Sequence, residues 1–129
     1  SLALGIGQAA MDYAIAYTQE RKAFGGHLYD LGAIRQRMAM HQAKVDAVRA
    51  AMYHAAWMGD QGQDNVKAMS GVKAFGCEVV NQVMYDCVQF HGGMGYVEET
   101  WTARFLRDNR LTSIGGGADE VMLPAGPKL

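Results

Sequence analysis

Glycine-rich breaks carry the residues whose types and spacing could do chemistry. The stretch SIGGGADEV, Ser113 to Val121, sets Gly115, Gly116 and Gly117 directly before Ala118, Asp119 and Glu120. Free backbone N–H groups in such a segment can hold an anion, although two carboxylates opening the next helix oppose a further negative charge. The stretch can equally be a hinge, or a site from which a reactive side chain is missing. Two further breaks, RKAFGGHLYDLG at 21–32 and QFHGGMGYVEE at 89–99, also put glycine at helix boundaries. Gly92, Gly93 and Gly95 let the backbone pass close to a bulky group, or simply let the chain reverse. GGMG is not a dinucleotide fingerprint, because no strand precedes it. Taken singly, each break reads as an ordinary helix end.

Other chemistries find little support. Cys77 and Cys87 lie ten apart in a helical segment, too far apart along the axis to bond to each other. With no CxxC and no His/Cys pairing at ligand spacing, free thiols and no metal site are expected, as in a reducing cytoplasm or organelle matrix. The formal net charge is -1 without blocks of like charge, so neither nucleic acid nor an anionic membrane finds a basic field. No apolar run reaches the length of a membrane span, and SLALGIGQAA lacks the charged start of a signal peptide. His41 falls on an apolar stripe, where a packed, hydrogen-bonded imidazole is expected rather than a ligand. His54 has no partner at metal spacing.

The elements that must position the breaks are helices. The chain's 129 residues suit one domain, 1–129, and its only prolines are Pro124 and Pro127. Leu2 to about Arg21 reads as a first helix, with Ile6, Ala9, Ala10, Tyr13 and Tyr17 on one side. Ile34, Met38, His41, Val45, Val48, Met52 and Ala55 step by fours and threes through a second. Asp30 is the expected N-cap of that helix, and GDQGQDN at 59–65 ends it. A third spans Val66 to about Phe90, striped by Met69, Val72, Gly76, Val79 and Val83. A shorter fourth is expected from Glu98 or Glu99 to Arg107 or Asp108, and a last begins after the glycines. Strand alternation is found nowhere. The expected fold is all-α: an antiparallel up-and-down four-helix bundle, with methionine and alanine filling its core.

Together the three breaks resemble the C-terminal helical domain of acyl-CoA dehydrogenases, in the order RKAFG, QFHGGMGY and RFLRDNRLTSIGGGADEVM. The likeness runs from Ser1 to about Leu123. It implies one part of a longer flavoenzyme subunit that also has an N-terminal helical domain and a middle β-domain. Such enzymes form a trans-2-enoyl-CoA: a carboxylate takes the α-proton of the acyl-CoA while a hydride leaves the β-carbon for N5 of FAD. Electrons then pass to electron-transfer flavoprotein, and subunits assemble as homodimers or homotetramers. On this resemblance Arg21 matches the arginine of RxxFG and would meet the FAD pyrophosphate, usually of a neighbouring subunit. Phe24 would pack on the cofactor. Gln89, Phe90, His91, Gly92 and Gly93 match QxxGG and would also serve the neighbour's FAD. One departure is Gly32, which stands where relatives carry a polar, flavin-contacting residue.

Many relatives carry a Y-E-G-T-S-E type motif at SIGGGADEV, with its first Glu as the base. Here Gly116 occupies that position, Gly117 keeps the glycine beside the substrate, and Ala118, Asp119 and Glu120 replace Thr-Ser-Glu on the cofactor side. Glycine cannot abstract a proton. In the isovaleryl and long-chain branches the base comes instead from the first helix of this domain, which would place it just upstream of Ser1. The competing readings are a flavin-dependent oxidase or monooxygenase on the same scaffold, and a non-catalytic helical interaction module.

Overall fold

The computed structural model describes residues 1–123. Four helices dominate: α1 (Leu2–Glu20), α2 (Gly32–Asp60), α3 (Val66–His91) and α5 (Trp101–Arg110). The hairpin β1 (Lys22–Ala23) and β2 (Gly26–His27) joins α1 to α2. A single turn, α4 (Gly93–Tyr96), follows α3, and α6 (Asp119–Met122) follows the glycines.

Side-chain partners fix the helix directions. His41 meets Asp86, Lys44 meets Gln82, and Gly76 lies under Val48, so α2 runs antiparallel to α3. Gly7 faces Val80 while Tyr17 stacks on His91, which makes α1 parallel to α3. Asn109 bonds Asn81 at the far end of α5 from Trp101, and Trp101 packs beside Tyr13, a neighbour of His91. The order is therefore up, down, up, down, the expected bundle, and α3 touches the three other long helices.

The core is built by Met11, Val45, Val48, Val80, Val83 and Met84, each at most 1% exposed. Full burial of one such side chain contributes about 1.5–3 kcal/mol. Glycine inside a helix weakens it, yet Gly7 and Gly76 recur on the buried faces. A Cβ on Gly7 would come 3.2 Å from Val80, and one on Gly76 2.9 Å from Val48. Both glycines let helices approach more closely than alanine would.

Four expectations are corrected. Asp30 does not cap α2: the N-cap is Leu31, without a side-chain bond. The Asp30 carboxylate instead accepts from the His27 N–H at 2.8 Å and closes the turn before the helix. Strand pairing is present, as the small antiparallel hairpin Lys22–Ala23 with Gly26–His27. Phe24 and Gly25, its two turn residues, have φ of 55° and 83°, the double positive φ of a type I′ turn whose twist suits a hairpin. The fourth long helix starts at Trp101 rather than Glu98 or Glu99, because Gly93–Tyr96 form a separate turn and Thr100 Oγ1 bonds the Met94 and Val97 carbonyls. Finally, Met69 and Ala9 lie on expected buried stripes but are exposed.

Candidate functional site

Two of the three breaks meet in space. The hairpin at the end of α1, the start of α2 and the last turn of α3 enclose an open cavity of about 870 Å³. Arg21, Phe24, Gln89, Phe90, His91, Gly92 and Gly93 all line it. Leu28, Leu31 and Ile34 add apolar wall, and Arg37 reaches it from α2.

The chain places these groups by simple means. Arg21 is the C-cap of α1, and its carbonyl accepts the Leu28 N–H at 2.9 Å, which fixes the backbone below an exposed guanidinium. Among the described residues Arg21 makes no ion pair, whereas Arg37 is held by Asp86 at 2.8 Å. Phe24 is 88% exposed and sits at φ 55°. A bulky residue at positive φ is a true outlier, costing on the order of 1–2 kcal/mol, and here the fold gains no burial in return. The turn therefore spends conformational energy to present an apolar ring to the cavity. Gly92, at φ 57° and ψ -138°, reverses the chain after α3 in a region only glycine enters readily.

His91 lines the cavity from behind and is 3% exposed. Its ring stacks between Tyr13 and Tyr17, with centroids 4.8 and 4.4 Å away. Nδ1 donates to the Cys87 carbonyl at 2.6 Å. Burial lowers the His91 pKa below its ordinary 6.5, against the opposing effect of that backbone bond. One turn earlier, burial and then the Asp86 charge push the Cys87 thiol up to about 12 from 9.0. The signs define an expected stability profile. A lowered histidine pKa contributes stability above pH 6.5 that is lost as pH falls from there towards the folded value. A raised thiol pKa contributes stability below pH 9 that is lost between 9 and 12, by up to about 1.4 kcal/mol per pH unit. Urea unfolding of the domain from pH 5 to 10 should show a plateau between about 7 and 9 with a falling limb on each side. His91→Phe should abolish the acid limb, and an unchanged limb would assign it to other groups.

The third break lies elsewhere. Gly115–Gly117 pack beside the first half of α3, where Lys73 Nζ donates to the Gly117 carbonyl and to the Asp119 carboxylate, the latter at 2.9 Å. Gly116 and Gly117 have φ of 69° and 103°. Ala118 is the N-cap of α6, whose first turn carries Asp119 and Glu120. Lys73 and Gln89 are 16 residues apart on one helix, about 24 Å at 1.5 Å per residue. The residues expected at a cofactor thus form two groups at opposite ends of α3.

The start of α1 lies at the glycine-loop end. Gly7 faces Val80 in the parallel pair, so six residues back Ser1 stands level with Lys73 and Ala74. From this end an apolar groove of about 830 Å³ runs along α1 towards Tyr13, with Leu2, Gly5, Ile6 and Ala9 facing Trp101 and Phe105 across it. Sequence reading missed this groove. Its only signal was the apolar spacing Leu2, Ile6, Ala9, which is also that of a buried stripe. The expected core histidine is found: His41 Nε2 lies 2.6 Å from the Asp86 carboxylate. Both cysteines are free and buried. Among the described residues there is no metal-binding cluster, and no helix is long and apolar enough to cross a membrane.

Fold and site define an all-α bundle domain with a ligand-sized cavity at the C-terminal end of its central helix and a glycine loop tied to that helix near its start. The family model of the acyl-CoA dehydrogenase C-terminal domain matches residues 1–125, and the chain belongs to that family. Cyclohexane-1-carbonyl-CoA dehydrogenase of Geobacter metallireducens is 37% identical, over 92% of this chain and 31% of its own. The caffeyl-CoA reductase-Etf complex subunit CarC of Acetobacterium woodii is 36% identical, over 94% of this chain and 32% of its own. Butyryl-CoA dehydrogenase from Megasphaera elsdenii superposes with a TM-score of 0.90 at 33% identity, over 93% of this chain and 31% of that one. The chain spans about a third of the length of these relatives.

Proposed function

We propose that this chain is the C-terminal domain of an FAD-dependent acyl-CoA dehydrogenase. In that reading the longer subunit dehydrogenates an acyl-CoA thioester across its α and β carbons, and the isolated domain is inactive. The observation carrying the reading is the convergence of Arg21, Phe24, Gln89 and the Gly92–Gly93 backbone on one cavity.

Those residues fit a dinucleotide of this kind. An unpaired guanidinium suits a pyrophosphate, which it can grip with two parallel bonds. An exposed ring and apolar wall suit a heteroaromatic face, and two glycines without Cβ atoms let a bulky group lie on the backbone. When bound, the flavin supplies the hydride acceptor. The chain's own share is to bind and orient it. Since Lys73, which holds the glycine loop, stands about 24 Å along α3 from Gln89, the two surfaces serve two cofactors: the loop that of its own subunit, Arg21 and Gln89 that of a neighbour. This supports a homodimer or homotetramer.

The proton step needs a base that Gly116 cannot provide. We place it just upstream of Ser1, because α1 begins at the same end of the bundle as the glycine loop and beside the apolar groove. That groove, formed by Leu2, Ile6, Ala9, Trp101 and Phe105, suits an acyl chain. Electron-transfer flavoprotein is the proposed acceptor, as the Etf complex of the related CarC subunit suggests. The test is formation of enoyl-CoA by the full-length protein from an acyl-CoA series with an artificial electron acceptor. Turnover of at least one saturated acyl-CoA is expected, and none across short, branched and long substrates would overturn the proposal.

A further inference from the structure

We propose that Lys73, Cys77 and Asn81 form a polar rail along α3 that positions the glycine loop for the reaction, with Lys73 its deciding member. This rests on the dehydrogenase reading above, in which the loop meets substrate and flavin.

The three residues are spaced i, i+4 and i+8, so their side chains stand one above another on one helix face. Each takes a partner from the segment that links α5 to α6. Asn81 accepts from Asn109 Nδ2 at 2.8 Å and donates to Ser113 Oγ at 2.7 Å. Cys77 Sγ lies 3.3 Å from the Thr112 carbonyl oxygen. Lys73 holds the Gly117 carbonyl and the Asp119 carboxylate. As the chain passes from Asn109 to Asp119, it is tied down step by step towards the start of α3.

Among the described residues, the loop's other hydrogen bonds run from the Ile114 and Gly115 N–H groups to the Leu111 carbonyl and leave Gly116 without one. Gly115 and Gly116 are exposed, and a Cβ on Gly116 would meet nothing within 4 Å. Glycine loses more conformational freedom on ordering than any other residue, and α6, at four residues, is too short to stand alone. Among the described residues, Lys73 alone grips both the last glycine and the first residue of α6. Side chains of this pair are only 21% and 26% exposed, so water screens it less than a surface ion pair. The ammonium also neutralises Asp119, one of the two carboxylates that would otherwise oppose an anionic group at the loop. Lys73 acts through the loop and is a positioning residue, not a catalytic one.

The experiment uses the full-length protein, with Lys73→Met, Lys73→Arg and, as control, Lys67→Met in the exposed first turn of α3. In Lys73→Met, amide hydrogen exchange at residues 114–118 should quicken at least about tenfold. Its kcat should fall about 10- to 100-fold with flavin content unchanged, as small misplacements at a reacting centre do. Lys73→Arg should recover most of both, and Lys67→Met should change neither. If Lys73→Met does not fold, Asp119→Asn breaks the same ion pair and must show the same faster exchange. Wild-type exchange and kcat in Lys73→Met would overturn the proposal. Absence of turnover in the wild type would overturn the dehydrogenase reading instead, leaving loop exchange to decide the rail.

Discussion

Glutamine in place of the glutamate that we place just upstream of Ser1 should lower enoyl-CoA formation about 10²-fold or more and leave FAD bound. A positioned base acts in the transition state, so its loss is felt in turnover rather than in cofactor affinity. A carboxylate returned at Gly116 should restore part of the activity, because both positions must face the substrate α-carbon from the side opposite the flavin. The structure adds a condition to that rescue. A side chain at Gly116 enters open space, but φ there is 69°. Glutamate in this left-handed conformation costs on the order of 1–2 kcal/mol, so Gly116→Glu should fold less stably than wild type and recover only part of the rate. The assay compares wild type, the upstream Glu→Gln variant, and that variant combined with Gly116→Glu. Unchanged turnover in Glu→Gln would remove the relocated base and bring the non-dehydrogenase readings forward.

How much was legible in the sequence follows from which forces act locally. The helices and their order could be read from three-four periodicity, since apolar spacing records what each helix buries. His41 stood on its stripe as a core histidine because a buried polar group needs a partner, and Asp86 provides it. The cap at Asp30 was misread because its carboxylate takes the His27 N–H, three residues back, rather than a donor of α2. Its carboxylate closes the His27–Asp30 turn, and no composition rule distinguishes that turn from a helix start. The Phe24–Gly25 turn was hidden for a related reason. An aromatic residue in a type I′ turn contradicts local preference, and such contradictions fall at functional or strained positions.

The candidate site was legible only as a set of breaks. Nothing in the spacing of RKAFGG and QFHGGMG says that they meet in one cavity while SIGGGADEV lies at the far end of α3. That division follows from helix length and direction, which are properties of the packed bundle. The polar rail was invisible for the same reason. Lys73, Cys77 and Asn81 share a helix face in any reading, but their partners between Asn109 and Asp119 become neighbours only after α5 folds back along α3.

Arg21→Ala in the full-length protein should weaken FAD binding about 10- to 100-fold and leave the fold intact. The structure separates the two effects. The Arg21 guanidinium is exposed and makes no ion pair among the described residues, so the fold loses little contact when it goes. Its backbone role, accepting the Leu28 N–H and capping α1, survives in alanine. Loss of a favourable cation at a helix C-terminus costs only about 0.3–1 kcal/mol. A charge-assisted bond to a phosphate contributes about 1.5–3 kcal/mol, which gives the expected change in affinity. Arg21→Lys should fall between, since a point charge keeps the attraction but loses the two-pronged grip. Phe24→Gly is the companion variant: it relieves the positive φ while removing the ring, so it should hold stability within about 1 kcal/mol and still weaken the cofactor. Titration of FAD into the apoprotein, followed by quenching of flavin fluorescence, measures affinity, and urea unfolding of the apoprotein measures stability. Wild-type affinity in Arg21→Ala would show that the cavity between the hairpin and the end of α3 does not hold the cofactor's phosphates.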